Sequence, residues 1–529
     1  MARFTPGQIQ EWTSGQILRN NTSLKQEDRF YRGISTDTRT IRPGEIFLAF
    51  HGPKFDGHDF LDIAIAKKAA CLIVEKNNPH TAALLARFMS DPTTPDIIMV
   101  DDTLEAYQEI AHSYRNTLLC SVIAITGSVS KTTTRRMVAT IMSASEQIHE
   151  TEENKNNQIG LPLTLLQADD DDSCIIAEMG MDHRGEIGKL SLIARPDIAI
   201  ITNIGYSHAQ QLESRENILQ EKTDIVKGLA PNGTVILNGQ DPFLQQWALA
   251  HKDQYSILLC SNEKLEDPEL AGFDQAWAED LQVDEERTSF TFHNSMDIEH
   301  VYSVVIPEPG KYLVRAAVIG LTCAYIQGND MALSAKACSK FRNTGNRNRL
   351  IHFEELLVID DSYNASPESV EAALDNLKRL GQGRRKVICL AGMKELGKYC
   401  EEMHRKLADS ILDLESAYLL LVGEETLYLQ DELAHRPQTE SSPQVFHFSN
   451  SKEAAEKCKA LLQPQDAVLV KGSRVYQMET ITSELIKPTE QNELTEGIGQ
   501  VVGTGKPGIP GSVIPSDPAG ATPQTEKGE

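Results

Sequence analysis

The chain has 529 residues, 40% of them hydrophobic and 24% charged, and its formal charge of −25 comes from 76 acidic against 51 basic side chains. That balance excludes a general nucleic-acid surface, which needs a field of Lys and Arg against phosphate, and the length sets an expectation of about three to four domains. Nine cysteines without a C-x-x-C pair exclude a zinc ribbon or disulfide framework and point to a reducing compartment.

No run approaches about 18 apolar residues, and the first twelve residues lack the basic-then-apolar pattern of a leader. A cytoplasmic protein with no integral membrane segment is therefore expected. Short apolar runs alternate with helical patterns, at residues 96–100, 122–126, 174–177, 197–202, 234–237, 255–259, 356–359, 386–390, 417–422, 444–448 and 466–470. Near-continuous apolar runs of this length predict strands buried on both faces, and their alternation with helices predicts parallel α/β sheets. Residues 288–293 and 301–306 read as antiparallel strands, and a helix is expected near 314–325. The expected units are 1–113, a central nucleotide domain over 114–340, a third α/β domain over 341–488, and a disordered tail over 489–529, rich in Gly, Pro, Thr, Ser and Glu.

The polar clusters follow the apolar runs. The run at 122–126 leads into Gly127-Ser128-Val129-Ser130-Lys131-Thr132-Thr133. A strand, a small flexible turn and then a lysine and hydroxyls at a helix start form a phosphate cradle: backbone N–H groups face the anion, Lys131 reaches the terminal phosphates, and the Thr132 hydroxyl ligates magnesium. The bland alternative is a helix cap with a solvated lysine. Ser130 stands where the pattern has glycine. If that position requires positive φ, a side chain there costs roughly 1–2 kcal/mol, expected to appear as about a tenfold loss of ATP affinity.

Asn154 to Pro162 is an amide-rich loop, either a turn and cap or a donor set for a sugar or peptide. Glu178 ends the 174–177 run; it is a surface carboxylate at a helix start or, beside the cradle, a hard oxygen ligand for magnesium. His208 ends the 197–202 run and is a structural histidine or a second-metal ligand. Lys222 reads as solvated on composition alone. Asp360 to Pro367 and Lys471 to Arg474 follow the runs at 356–359 and 466–470. In open parallel sheets ligands bind beyond the carboxyl ends of strands, so five such clusters predict one shared cleft.

These residues resemble the Mur ligase family, in its MurF type. The stretch from Ser35 through Thr36, Asp37, Thr38 and Arg39 to Ala49, with Gly52 to His58, is similar to the family's uridine-nucleotide-binding domain. The run Asp360-Asp361-Ser362-Tyr363-Asn364-Ala365-Ser366-Pro367, followed by Glu368-Ser369, is selective for the MurF type, and the Asp-Asn-Pro-Arg signature of diaminopimelate-adding relatives is absent. The resemblance implies a three-domain α/β architecture: a UDP-substrate domain, a central P-loop parallel-sheet domain that binds ATP, and a Rossmann-like C-terminal domain.

The implied activity is ATP- and Mg2+-dependent addition of D-alanyl-D-alanine to UDP-N-acetylmuramoyl-tripeptide through an acyl phosphate, by a monomer. The resemblance makes Lys131, Glu178, His208 and Lys222 catalytic, with Lys222 the lysine that members carbamylate. Thr132, Glu178 and His208 would hold metal. Gly127, Ser128, Val129, Ser130, Lys131, Thr132 and Thr133, with Arg349, Asp361 and Asn364, would bind the nucleotide. Thr36 to Arg39, Asn156, Asn157, Lys471, Ser473 and Arg474 would bind substrate, and Met393, Glu395, Leu396 and Gly397 match a further motif. The family's Gly-x-His-Asn-Val reads here Gly310-Lys311-Tyr312-Leu313-Val314, and its Gly-Asp-Met reads Ala391-Gly392-Met393. Two alternatives stay open: a non-catalytic paralogue that binds a UDP-sugar or a partner, and a ligase with a different amine acceptor.

Overall fold

A computed structural model describes residues 2–18, 30–52, 55–88, 95–343 and 345–487. The tail expected over 489–529 lies outside the described residues. Three sheets organise the chain up to Leu485.

The central sheet has nine strands. Its parallel core runs, in spatial order, Ser256–Cys260, Thr234–Asn238, Ile198–Ile201, Ser121–Thr126, Cys174–Glu178 and Ile148–Glu150. The runs at the middle of this core are continuously apolar because helices cover both faces; Ile123, Ile125, Ile176, Ile198 and Ile200 are wholly buried on one side, and Val122, Ala124, Ile175 and Ala199 on the other. Beyond Ser256–Cys260 the sheet continues through Asp274–Val283 and then turns antiparallel through Thr288–Asn294 and Tyr302–Ile306.

The chain crosses at the middle of this sheet. Ser121–Thr126 lies between Ile198–Ile201 and Cys174–Glu178, so its carboxyl end opens at the point where chain order reverses. Helix Lys131–Met142 leaves that point and packs against helix Tyr312–Ile326. Gly320 permits the approach: a Cβ there would lie 2.6 Å from Ile141 Cδ1.

The C-terminal sheet has six strands, ordered Arg349–Phe353, Leu356–Asp361, Ala467–Lys471, Lys386–Ala391, Tyr418–Val422 and Gln444–Phe448. All pairings are parallel except the first, a hairpin whose turn residue Glu354 takes φ 52. The N-terminal sheet has five strands, ordered Gln16–Leu18, Asp96–Val100, Cys71–Glu75, Ile46–Leu48 and Ile34–Ser35. Among the described residues no helix is long and apolar enough to cross a membrane, and every cysteine is a free thiol.

Candidate functional site

Strand Ser121–Thr126 ends at Gly127, where a Cβ would stand 1.8 Å from Thr202 Oγ1, so only glycine fits. Three residues on, Ser130 caps helix Lys131–Met142 with φ 65 and ψ 5. The position does require the left-handed region, and serine occupies it at a cost of roughly 1–2 kcal/mol. The loop is held there by cross-links to the segment that follows strand Ile198–Ile201. Val129 N donates to Asn203 Oδ1 at 2.8 Å, Thr202 Oγ1 donates to Val129 O at 2.6 Å, and Gly205 N donates to Ser128 Oγ at 2.8 Å. Lys131 Nζ donates back to Gly127 O at 2.7 Å. Burial holds the Lys131 pKa below its ordinary value, with Arg347 adding to the effect and the carboxylates of Glu178 and Glu395 opposing it.

Glu178 stands opposite the helix start, at 2% exposure. Thr132 Oγ1 is 3.3 Å from its Oε1, and Asn156 Nδ2 donates to the same oxygen at 2.9 Å. Arg135 Nε donates to Oε2 at 3.2 Å, while Arg135 also pairs with Glu150 at 2.6 Å. A buried carboxylate needs such partners. Arg135 is absent from the sequence expectations, although its place three residues after Thr132 on one helix puts it on the same face. The adjacent asparagine does something different: Asn157 Oδ1 accepts from Ile159 N at 3.1 Å and Gly160 N at 2.9 Å, which ties down the turn leading into helix Gly160–Gln167.

One cavity of about 520 Å³ gathers much of the expected set. Ser128 to Thr133, Asn156 and Glu178 line it from the central sheet, and Asp361, Asn364 and Lys471 from the C-terminal sheet. Lys471 is 1% exposed and donates to Asp361 Oδ2 at 2.5 Å and to Asn364 O at 3.1 Å. Asp361 Oδ1 accepts from Asn348 N at 3.0 Å.

Other expected residues sit elsewhere. Arg349 is exposed on its edge strand and does not line the cavity. Arg347 does, with its guanidinium 4.0 Å from the centre of the Tyr363 ring. An alternating edge strand sends side chains two apart to one face, but Arg347 lies in the loop before that strand, outside its period. Ser473 Oγ accepts from Lys394 N at 2.9 Å, and Arg474 pairs with Glu479 at 2.7 Å, neither on the cavity wall. Thr36 to Arg39 follow strand Ile34–Ser35 of the N-terminal sheet, where Arg39 forks onto Asp37 at 2.7 Å.

His208 flanks the cavity without lining it, at φ 64. Its Nδ1 stands 2.9 Å from Glu395 Oε2 of the C-terminal part, and His208 holds the Glu395 carboxyl below its usual range. Glu395 O accepts from Gln210 N at 2.8 Å. Lys222 is 1% exposed, and no carboxylate lies within ion-pair distance of its amine among the described residues. Burial first, and the nearby Lys131 charge second, push its pKa well below the ordinary lysine value.

Chemically, the arrangement offers the half-buried Lys131 and main-chain N–H groups for phosphates. The oxygens of Thr132 and Glu178 fit a hard cation that takes its other ligands from phosphate and water. Among the described residues no cluster of three or more His, Cys, Asp or Glu side chains forms a protein-only metal cage, and a magnesium site of this kind needs none.

Comparison with known proteins follows the same three sheets. The Mur ligase family catalytic domain matches residues 30–115, the Mur ligase middle domain residues 125–324, and the Mur ligase glutamate ligase domain residues 346–474. The UDP-N-acetylmuramoyl-tripeptide–D-alanyl-D-alanine ligase of Bacillus subtilis (strain 168) is 31% identical over 488 residues, covering 92% of this chain and 99% of that protein. The enzyme of the same name from Escherichia coli (strain K12) is 28% identical over 471 residues, covering 88% and 96%. A crystal structure of MurF from Acinetobacter baumannii superposes with a TM-score of 0.78 at 26% identity, covering 92% of this chain and 100% of that one.

Proposed function

The chain belongs to the Mur ligase family, and on that footing we propose that it is a cytoplasmic ATP-dependent ligase that joins D-alanyl-D-alanine to UDP-N-acetylmuramoyl-tripeptide in peptidoglycan precursor synthesis. The observation that carries the reading is the single cavity. Residues of the phosphate cradle and residues at strand ends of the C-terminal sheet line one hollow, although more than 200 residues separate Lys131 from Asp361.

In this reading the cradle N–H groups and Lys131 bind the triphosphate and neutralise charge on the γ-phosphoryl group as it moves to the terminal carboxylate of the tripeptide. Thr132 and Glu178 would hold Mg2+ and His208 would help hold a second ion; when bound, the cation would supply charge stabilisation to the transferring phosphoryl group. Asn156 orients the Glu178 carboxylate through its 2.9 Å hydrogen bond. The amine of D-alanyl-D-alanine then attacks the acyl phosphate and inorganic phosphate leaves. Water would compete for that intermediate, and Asp361, Asn364 and Lys471 of the C-terminal sheet, which line the cavity, help to exclude it.

Burial and the nearby Lys131 charge disfavour the protonated form of Lys222 and so favour the neutral amine, the form that adds CO2 to give a carbamate. Thr36 to Arg39 on the N-terminal sheet bind the uridine nucleotide. The test is phosphate release by purified chain at saturating ATP. It should require both the tripeptide precursor and D-alanyl-D-alanine, and a panel of other amines should give less than a tenth of that rate, about 1.4 kcal/mol of discrimination. Release indifferent to the dipeptide would reject the reading.

A further inference from the structure

We propose that Arg135 makes Glu178 a one-oxygen ligand and thereby sets the cation selectivity of the cleft, for Mg2+ and against Ca2+. The inference rests on Thr132 and Glu178 being the cation site and adds a positioning residue behind it.

The frame begins on helix Lys131–Met142, where Thr132 and Arg135 share one face. Thr132 lines the cavity; Arg135, a turn further in and 3% exposed, does not. Its guanidinium meets Glu178 from behind, with Nε donating to Oε2 at 3.2 Å. Nη1 donates to Glu150 Oε2 at 2.6 Å and to the carbonyl of Thr151. Both acceptors stand at the end of strand Ile148–Glu150, which pairs with Cys174–Glu178. Thr151 completes the frame. It is wholly buried, its Oγ1 accepts from Glu178 N at 3.0 Å, and its own N donates to Ile176 O at 3.0 Å. The contact is thus fixed at both ends, the guanidinium by two acceptors and the carboxylate by its main chain.

The two oxygens of Glu178 are therefore unlike. Oε1 faces Thr132 Oγ1 at 3.3 Å and the Asn156 amide at 2.9 Å, on the cavity side. Oε2 already accepts a charge-assisted bond from a cation. A dication drawn onto both oxygens would stand beside the guanidinium charge, in a buried setting where like charges are poorly screened. Oε1 alone is left for a ligand role.

Divalent cations differ on this point. Mg2+ demands near-ideal octahedral geometry at about 2.0–2.1 Å, and one carboxylate oxygen with phosphate and water oxygens suits it. Ca2+ takes about six to eight oxygens at about 2.3–2.6 Å and gains from a carboxylate that offers both. A group that orients a metal-binding side chain typically changes metal affinity about 10–100-fold. Arg135 touches neither nucleotide nor cation in this reading; it acts through Glu178.

The test is metal binding to the full-length chain with saturating ADP, read by displacement of Mn2+ in electron paramagnetic resonance, with ADP alone as the reference. In the native chain half-displacement should need about tenfold more Ca2+ than Mg2+, beyond the preference of ADP alone. Arg135→Ala should lower that Ca2+:Mg2+ ratio at least about fivefold. Glu150→Gln keeps the guanidinium on Glu178 and removes one nearby negative charge, so its ratio should stay within about twofold of native. A native ratio no larger than that of ADP alone would overturn the proposal, and this measurement stands whether or not Arg135→Ala folds. So would a native ratio in a folded Arg135→Ala protein, or an equal fall in Glu150→Gln, which would make net charge the cause. Ligation assays separate the two readings. A Mg2+ preference lost in Arg135→Ala, with no ligation by the native chain, rejects the ligase and leaves the role of Arg135 standing; ligation by a chain whose ratio matches ADP alone does the reverse.

Discussion

At the scale of single residues, Ser130 shows how a local rule can be broken where the surroundings enforce it. Its φ of 65 is imposed by neighbours: Val129 and Ser128 on one side are tied to Asn203, Thr202 and Gly205, and Lys131 on the other begins the helix. The fold itself therefore holds the strained conformation, and its cost falls on stability. The expectation of a tenfold loss in ATP affinity assigned that cost to binding instead. Ser130→Gly relieves about 1–2 kcal/mol of strain and adds about 0.5–1 kcal/mol of unfolded-chain entropy. The variant should gain about 0.5–1 kcal/mol in denaturant unfolding while its calorimetric Kd for ADP changes less than about twofold. A tenfold tighter Kd with unchanged stability would place the strain in the binding step after all. Glu178 and Lys131 were legible in sequence because motif spacing and strand-end position coincide. Arg347 was not, since the stacking on Tyr363 that holds it in the cavity is a tertiary contact between two loops.

At the scale of elements, the short helix Ala209–Leu212 and the turn Glu395 to Tyr399 form the joint between central and C-terminal sheets. Glu395 makes two contacts from one residue: its carbonyl accepts from Gln210 N, and its carboxylate meets His208. Tyr206 and Tyr399 add an edge-to-face pair at 5.2 Å, and Tyr206 N donates to Glu368 Oε1 at 3.1 Å. The Glu395 side chain is 49% exposed, so its contact with His208 contributes at most about 1 kcal/mol, or about a fivefold change in the closed population. Glu395→Ala should lower kcat about two- to fivefold with little change in KM, and small-angle scattering should show a larger radius of gyration. Unchanged scattering together with unchanged kcat would remove Glu395 from the joint.

The same scale shows which elements could be read in advance. Most parallel strands of the central and C-terminal sheets were legible because burial on both faces leaves an uninterrupted apolar run. Asp274–Val283 was not: its outer half is exposed, and a register shift between Glu279 and Gln282 breaks the alternation. Arg349–Phe353 is an edge strand in which no residue is fully buried and Arg349 and His352 are exposed. The N-terminal strands Ile34–Ser35 and Ile46–Leu48 have two and three residues, too few for periodicity to register.

At the scale of the whole molecule, Lys222 links the site to global stability. Its amine is buried, beside a like charge, with its pKa well below 10.5. In the unfolded chain it is a normal lysine. Between the depressed folded value and 10.5 the unfolded state therefore binds a proton that the folded state lacks. Stability contributed by this residue rises with pH through that window and is at its lowest below the folded value. At pH 7 the group opposes folding, a cost that goes with burying an amine beside the Lys131 charge. Lys222→Met removes the titration while keeping the stem volume. In denaturant unfolding it should be more stable than the native chain near pH 7, by about 1–3 kcal/mol, and the gap should close as pH approaches 10.5. Ligation should be lost at every pH. A gap independent of pH would mean that packing, and not the proton, sets the difference; a Met variant that still ligates would show that the amine has no part in the chemistry.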